Sequence, residues 1–299
     1  MNHLKKIELA RQLIQKHCHL FMCPLCGTAL KGSRPNSLIC ANRHCFDLSK
    51  PGYVHLLARP ARPTKYGQQL FESRLAICRS GFFHGIVERI HKIITYQMGN
   101  IRTEGIHILD AGCGEGSLLA ELTTGLNHTS DGDVLGVGMD IAKAGIRIAS
   151  REYPGLIWCV ADLARSPFMD KAFDVILNIL SPSNYSEFSR MLDDDGILIK
   201  IAPGSEYLKE LRTLFFGQSG KQAYSNQHVV THFCRHFNLI DKQHVQYRKR
   251  LDQTLLTHLI NMTPLSWGAT EGNLQQALQS GISFVTVDAT ILVGKKQIR

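Results

Sequence analysis

The sequence predicts an α/β protein with a doubly wound, mostly parallel sheet, preceded by a small N-terminal metal-binding module. Two observations predict this fold class. From about residue 70 onward, short apolar strands alternate with amphipathic helices, which is typical of a parallel sheet covered by helices on both faces. Before that point, residues 23–52 are rich in Cys, Pro, Gly and Asn, and they are too poor in apolar side chains to fold without a staple.

The predicted elements follow in a regular order. Residues 4–17 have apolar side chains near helical spacing and predict a short amphipathic helix, with a frayed extension as the alternative. Residues 56–67 contain two prolines among basic residues and predict a linker. The later elements are a helix over 82–97, a strand over 106–110, a helix ending near 126, a strand over 134–139, a helix over 141–152, strands over 156–161 and 173–180, a helix over 184–192, a strand over 196–201 and a strand pair within 282–294.

Composition excludes several classes of protein. The chain has 299 residues, of which 44% are hydrophobic, and this argues against a disordered or fibrous protein. No apolar run approaches the roughly 20 residues of a membrane span, and the first residues lack the apolar core of a secretory signal. We therefore expect a cytoplasmic protein with no membrane partner. In such a chain, nine cysteines favour metal ligands and free thiols over disulfides.

The positive charge is concentrated at the N-terminus. Residues 1–66 contain eleven Lys and Arg against two acids, which accounts for the whole net charge of +9. A basic module attached to a neutral domain suits a polyanion such as nucleic acid, because phosphate contacts provide affinity that does not depend on sequence. A solubilising basic segment without a ligand is the alternative.

Four residues of this module have the spacing of a zinc site. Cys23 and Cys26 are separated by two residues, Cys40 follows after thirteen, and His44 after a further three. The set predicts a closed tetrahedral, structural zinc site without a position for a catalytic water. Cys45 is the alternative fourth ligand. We favour His44, because a Cys-x3-His knuckle lets the imidazole reach back across one helical turn.

A Gly-rich loop follows the strand over 106–110. Asp110, Gly112 and Gly114 lie in the sequence DAGCGEG, where missing Cβ atoms leave room for a nucleotide against the backbone. Asp140 closes the next strand, and its carboxylate can accept hydrogen bonds from both ribose hydroxyls. The third glycine follows the second by two residues and not by three, which argues against the alternative of an NAD enzyme. The loop therefore predicts a cofactor that contains a nucleoside.

The loop and its acids resemble the class I S-adenosylmethionine-dependent methyltransferases. Together with the zinc knuckles, they are similar to the 23S rRNA guanine-N1 methyltransferases, a family with macrolide-resistance members. The stretches that carry this likeness are CPLC (23–26), IC-x3-HCFD (39–47), KPGYVHLL (50–57), LDAGCGEG (109–116), SPF (166–168), IAPG (201–204) and MTPLSW (262–267). The resemblance implies a zinc-binding RNA-recognition module with its linker (23–66) and a Rossmann-like methyltransferase domain (67–299). Residues 1–22 fall outside the resemblance, and we expect them to form an N-terminal helical extension.

The resemblance also implies two cofactors, S-adenosylmethionine and a structural Zn²⁺, together with the residues of the cofactor site. The implied cofactor-binding residues are Phe83, Asp110, Gly112, Gly114, Glu115, Asp140, Ile141, Asp162 and Tyr207. Asp162 would lie near the adenine amino group, with an exposed loop acid or a helix cap as the alternative. The chain departs from the family pattern at 65–68, 73–83 and 194–196, and Phe83 stands where the family usually has a Tyr.

The implied activity is methylation of guanine N1 in a hairpin of the large-subunit ribosomal RNA. Phosphate contacts are expected from basic residues of the module, namely Arg43, Lys50, Arg59 and Arg62. No general base is assigned, and Asn184 and Tyr185 are candidates for substrate contact only. Two other functions stay open: a small-molecule methyltransferase that retains the zinc module, and a catalytically silent RNA-binding paralogue. A homodimer is one alternative for the oligomeric state.

Overall fold

The computed structural model describes residues 5–34, 36–59, 66–99, 105–129, 132–217 and 225–297. The strands are β1 Leu30–Arg34, β2 Ser37–Cys40, β3 Cys45–Asp47, β4 Tyr53–His55, β5 Ile106–Ala111, β6 Val134–Asp140, β7 Ile157–Val160, β8 Phe173–Ile179, β9 Leu192–Pro203, β10 Phe237–Arg250 and β11 Phe284–Lys296. The helices are α1 Lys6–Lys16, α2 Gln68–Arg79, α3 His84–Met98, α4 Ser117–Thr129, α5 Lys143–Glu152, α6 Tyr185–Met191, α7 Lys209–Phe216, α8 Gln227–Cys234, α9 Gln253–Met262 and α10 Glu271–Gln279. Of the helices in these ranges, none has the length and apolar character that a bilayer span requires.

Eight strands form the main sheet, in the order β10-β11-β9-β8-β5-β6-β7-β4. Five parallel pairings join the six strands from β4 to β9, and β11 lies antiparallel between β9 and β10. The predicted fold class, a doubly wound and mostly parallel sheet, is confirmed. The strand order reverses next to β5, and ligands of such sheets bind at the carboxyl ends of the strands around this point.

The central strands are buried on both faces, which explains their continuous apolar runs. Along β5, Ile108 belongs to the core on one face and Leu109 to the core on the other. Val175 and Ile176 of β8 divide in the same way. Because β5 and β8 are fixed from two sides, the loops that follow them are held on a rigid base.

Two backbone pairings join the N-terminal region to the larger domain. Its own small sheet is an antiparallel meander of β1, β2 and β3. Phe21 forms an isolated bridge with Phe168, and their ring centroids are 5.4 Å apart. Strand β4 pairs parallel with β7 and extends the main sheet by one edge strand. The chain of the module therefore continues into the sheet before residues 60–65. These six residues, half of the predicted linker 56–67, lie outside the described residues.

The C-terminal region differs from the prediction. The strand pair within 282–294 is wrong, because these residues belong to the single strand β11, whose antiparallel neighbours are β10 and β9. Strand β10 was not predicted. Most of its side chains are exposed or half-buried, as expected of an edge strand, so its sequence lacks the apolar run of a central strand.

Candidate functional site

The four predicted zinc ligands meet at one point of the N-terminal module. The Sγ atoms of Cys26 and Cys40 are 3.7 Å apart, and Nδ1 of His44 lies 3.5 Å from Sγ of Cys23 and 3.4 Å from Sγ of Cys40. A zinc tetrahedron with Zn–S near 2.3 Å and Zn–N near 2.0 Å has edges of about 3.5–3.8 Å. The geometry of the four ligand atoms therefore fits a zinc ion.

Local backbone structure forms the two knuckles. In the first, the N–H of Cys23 donates to the carbonyl of Thr28, and Gly27 turns the chain with a φ of +75°. In the second, the N–H of His44 donates to Sγ of Cys40 at 3.3 Å. Cys45 is exposed and its Sγ contacts Asp47 at 3.7 Å, outside the cluster. The choice of His44 over Cys45 therefore agrees with the geometry.

A cavity of about 760 Å³ opens at the carboxyl ends of the sheet strands. Its wall contains six of the predicted cofactor-binding residues, namely Gly112, Gly114, Asp140, Ile141, Asp162 and Tyr207. The volume is in the range of cofactor and small-molecule sites. The structure thus brings together, in one concave site, residues that lie up to 95 positions apart in the sequence.

The Gly-rich loop is fixed by backbone hydrogen bonds and by close packing. The N–H groups of Gly112 and Cys113 both donate to the carbonyl of Met139, at 2.9 and 3.0 Å. Gly112 has a φ of +90°, and a Cβ atom there would lie 2.7 Å from Oγ of Ser181. Only glycine fits this position, because the loop after β8 packs directly against it.

Asp140 lies at the end of β6 and holds the same loop. Its carboxylate accepts hydrogen bonds from the N–H of Gly114 at 2.9 Å and from the N–H of Ala142 at 2.8 Å. Burial, partly opposed by these two hydrogen bonds, raises the pKa of Asp140. A carboxylate has about four acceptor positions, so two remain for a ligand in the cavity.

Three other predicted residues lie outside the residues that line the cavity: Phe83, Asp110 and Glu115. All three are almost completely buried, with exposed fractions of 2% or less. Arg74 of α2 lines the cavity and contacts two of these three residues. Its Nε lies 2.6 Å from Oε2 of Glu115, and its guanidinium lies 5.5 Å from the ring centroid of Phe83. Burial, opposed by Arg74 and reinforced by nearby acids, raises the pKa of Asp110 to about 7.

The sequence prediction missed Arg74. The only signal was its position within 73–83, where the resembled family has an Arg-rich helix, and the altered sequence of that segment obscured it. The structure shows that this segment forms part of helix α2, with Arg74 aimed at the Gly-rich loop.

A hydrogen-bond network supports the loop after β8. Nδ2 of Asn178 donates to the carbonyl of Ala111 at 3.0 Å and to that of Pro182 at 2.9 Å. Oδ1 of Asn178 accepts from Nζ of Lys200 at 2.6 Å, and Lys200 also donates to the carbonyl of Ser181. Burial lowers the pKa of Lys200 to about 8. This network joins the Gly-rich loop to Ser181 and Pro182, which both line the cavity.

Asn184 and Tyr185, the two candidates for substrate contact, have structural partners. Asn184 caps helix α6, because its side chain accepts from the N–H of Glu187 and donates to the carbonyl of Leu163. Tyr185 is 4% exposed and packs among aromatic rings that include His236, with ring centroids 5.1 Å apart. Neither residue is among those that line the cavity.

Segments that are distant in sequence from the Gly-rich loop also form part of the cavity wall. Met262, Thr263, Pro264 and Leu265, within the MTPLSW stretch, contribute to the wall. Trp267 lies next to Tyr66, with ring centroids 5.1 Å apart, and Tyr66 also lines the cavity. Arg212 of α7 lines it too, and its buried Nε has no hydrogen-bond partner within the described part of the protein. This part of the wall therefore combines apolar side chains with the cationic side chain of Arg212.

Most of the basic residues expected to contact phosphate are on the protein surface. Arg43, Lys50 and Arg59 are exposed. Arg62 lies outside the described residues. An exposed guanidinium or ammonium group is free to contact phosphate, so the three described residues satisfy the steric requirement of the predicted role.

Comparison with known proteins gives two family matches. A zinc-ribbon family described as "RlmA, N-terminal" matches residues 21–62, and a family described as "Methyltransferase domain" matches residues 108–196. The first match contains all four residues of the metal cluster, and the second contains the Gly-rich loop, Asp140 and Asp162. The N-terminal module is therefore a zinc ribbon, and the larger domain is a class I methyltransferase that uses S-adenosylmethionine.

Three relatives align with almost the whole chain. The protein YxjB of Bacillus subtilis (strain 168), provisionally named a 23S rRNA (guanine-N(1)-)-methyltransferase, is 41% identical over 279 residues, which are 93% of this chain and 97% of that protein. The 23S rRNA (guanine(748)-N(1))-methyltransferase of Streptomyces fradiae is 28% identical, over 91% of this chain and 95% of its own length. A protein of Micromonospora griseorubida with a provisional name of the same kind is 25% identical, again over 91% and 95%. With this identity and coverage, the chain belongs to the 23S rRNA (guanine-N1)-methyltransferase family.

Proposed function

We propose that the protein transfers a methyl group from S-adenosylmethionine to N1 of a guanine in a hairpin of 23S rRNA. The observation that carries this proposal is the 41% identity to YxjB, which extends over 97% of that protein. The provisional name of YxjB gives guanine-N1 methylation of 23S rRNA. The cavity supports it, because about 760 Å³ accommodates a cofactor together with an acceptor base.

The proposed cofactor half of the cavity lies at the Gly-rich loop. Asp140 uses its two remaining acceptor positions for the ribose hydroxyls, and Gly112 and Gly114 let the backbone lie against the methionine end. Ile141, which is 37% exposed, offers an apolar face to the adenine ring, and Asp162 accepts from its amino group. Tyr207 lines the same space. Phe83, Asp110 and Glu115 act from behind the wall, where they position Arg74 and the loop.

The proposed acceptor half lies between the loop after β8 and the MTPLSW stretch. Guanine N1 is on the Watson–Crick edge, so the base must be unpaired or flipped out of its stack before it can react. Leu163, Pro182, Phe216, Met262 and Leu265 give this half apolar walls suited to a purine ring. The walls replace the stacking that the base loses when it leaves the RNA helix.

Catalysis by this chain is mainly alignment. Bound S-adenosylmethionine supplies an electrophilic methyl group on a sulfonium, and holding donor and acceptor in line accelerates the displacement without a catalytic metal. The proton on guanine N1 must leave, and charge that passes to O6 is stabilised by a nearby donor. Arg212 is the proposed donor, because its guanidinium-bearing side chain lines the cavity.

The zinc ribbon is the proposed RNA-binding module. Arg43, Lys50 and Arg59 contact phosphates and position the hairpin, while the cavity reads the extruded base. The division into 1–22, 23–66 and 67–299 belongs to this proposal, with β4 tying the second part to the third. A ribosomal substrate would place the protein in the cytoplasm. Sedimentation of the free protein distinguishes a monomer from the homodimer that we also consider.

Primer extension tests the proposal. The protein and S-adenosylmethionine are incubated with 23S rRNA that lacks modifications, and reverse transcription should stop at one guanine, because a methyl on N1 blocks pairing. The stop should disappear with Asp140→Ala. Efficient methylation of a small metabolite without any stop on the RNA would support the small-molecule alternative. Binding of RNA without binding of S-adenosylmethionine would support a silent paralogue.

A further inference from the structure

A second cluster of metal-ligating side chains lies outside the zinc ribbon. His17 ends helix α1, His19 lies in the following turn of 3₁₀ helix, and His107 is the second residue of β5. One imidazole nitrogen of each lies within 4.8 Å of those of the other two. The ring centroids are 5.6 to 6.1 Å apart. Three histidines from two distant segments of the chain thus converge on one point.

One buried nitrogen of the cluster has no hydrogen-bond partner in the part of the protein that the structure describes. Nδ1 of His17 is buried and has no hydrogen-bond partner there. A buried polar atom without a partner costs free energy, so it calls for an ion or a water molecule.

We propose that His17, His19 and His107 bind a divalent transition-metal cation, with Zn²⁺ as the expected ion. Imidazole is a favoured ligand of Zn²⁺, and three histidines form a common ligand set. At Zn–N distances near 2.0 Å, the nitrogens of a tetrahedral site are about 3.3 Å apart, so the rings approach by up to about 1.5 Å on binding. Rotation of the exposed His19 accounts for part of this movement, and the fourth position is open to water.

Three charged groups surround the cluster. Lys16 and Asp133 lie close to each other, with Nζ 3.9 Å from Oδ2, and their side chains are 67% and 97% exposed. Oδ2 of Asp174 accepts a hydrogen bond from the backbone N–H of His107 at 2.8 Å. The two carboxylates outnumber the single ammonium group, so the local charge is compatible with a divalent cation.

The position of the cluster indicates a structural role for the ion. His107 lies at the start of β5, whereas the Gly-rich loop follows its end, about 15–20 Å away for a six-residue strand. An ion here is therefore remote from methyl transfer. It would fasten the end of α1 to the main sheet and give this N-terminal helix a definite function.

Zinc stoichiometry of the full-length protein tests the proposal. Equilibrium dialysis against Zn²⁺ should give two ions per wild-type chain, one in the zinc ribbon and one at the histidines. His19→Ala should bind one, and because His19 is exposed, the variant should keep its fold. His107→Ala should also bind one, and His228→Ala, which removes an exposed histidine of α8, should still bind two.

A spectroscopic measurement assigns the second ion. Co²⁺ at a site with three thiolates shows intense sulfur-to-cobalt absorption, whereas Co²⁺ at three imidazoles does not. The first equivalent of Co²⁺ should therefore give this absorption and the second should add only weak visible bands, which His19→Ala should lose. A wild-type protein that binds a single Zn²⁺ at saturation, or a His19→Ala variant that still binds two, would overturn the proposal.

Discussion

Nε of Arg74 lies 2.6 Å from Oε2 of Glu115, so an ion pair joins helix α2 to the Gly-rich loop. The carboxylate is completely buried, whereas 19% of the arginine side chain is exposed. The other carboxylate oxygen of Glu115 accepts a hydrogen bond from the thiol of Cys78 at 3.3 Å. The loop that carries the cofactor site is therefore held from behind by a charge pair whose partner, Arg74, also lines the cavity.

Arg74→Met should lower the free energy of unfolding by about 3–5 kcal/mol, because it leaves Glu115 as an unpaired buried charge. The double variant Arg74→Met/Glu115→Gln should recover most of this loss. Arg79→Met, at another position of α2, breaks the exposed ion pair with Glu152 of α5 and should cost less than about 1 kcal/mol. Urea unfolding measures all three. Equal stability of Arg74→Met and the wild type would show that the pair is not needed.

Asp140→Ala should weaken S-adenosylmethionine binding by about 2–4 kcal/mol, or about 30- to 900-fold, because two charged hydrogen bonds to ribose are lost. Asp162→Ala should weaken S-adenosylmethionine binding less, since it removes a single hydrogen bond to adenine. Isothermal titration calorimetry measures both affinities, and thermal unfolding controls for loss of fold. Unchanged affinity of the Asp140 variant would remove this residue from the cofactor site.

His44→Ala should lower the zinc content by one ion per chain, whereas Cys45→Ala should leave it unchanged. The reason is that Nδ1 of His44 lies within the thiolate cluster and Sγ of Cys45 contacts Asp47 instead. Loss of the ion should unfold the zinc ribbon, whose own core is small. Metal analysis decides between the two ligands, and the opposite pattern would assign the fourth position to Cys45.

Asp110→Asn should change how stability depends on pH. The pKa of Asp110 is about 7 in the folded protein, above the usual 3.8, so the folded state holds a proton that the unfolded state releases. Stability from this group is complete below about pH 4 and falls by about 1.4 kcal/mol per unit as the pH rises to about 7. The Asp110→Asn variant has no titrating group at this position, so its stability does not fall in this way. Urea unfolding at several pH values should therefore show the variant gaining on the wild type up to pH 7 and levelling off above it; a constant difference would contradict the raised pKa.

Replacing Arg43, Lys50 and Arg59 by Gln should weaken RNA binding and reduce its dependence on salt. Each lost phosphate contact should lower the slope of log affinity against log salt by about 0.7–0.9. Cofactor affinity should not change, because none of the three lines the cavity. Arg89→Gln/Lys92→Gln removes two exposed charges from helix α3 and serves as the control. Filter binding over a range of salt concentrations measures the slopes, and equal slopes would exclude these residues as phosphate contacts.

Local patterns were predictable from the sequence, and long-range contacts were not. The zinc ribbon depends on knuckles of a few residues, so the spacing from Cys23 to His44 was sufficient to predict the cluster. The Gly-rich loop and Asp140 follow directly from successive strands of one sheet. Arg74 and Arg212 reach the cavity only through the packing of α2 and α7. The altered sequence of 73–83 obscured the first, and nothing in the neighbouring sequence marks the second. The same limit applies to the histidine cluster, because His107 is 88 residues away from His19.

One tryptophan occupies the space that two glycines leave free. A Cβ atom at Gly116 would lie 2.4 Å from the Trp158 ring, and one at Gly138 would lie 2.2 Å from it. The same indole donates a hydrogen bond to the carbonyl of Tyr153 at 2.8 Å. A larger residue at either glycine therefore requires a smaller one at position 158, so each of the two glycines can change during evolution only together with Trp158.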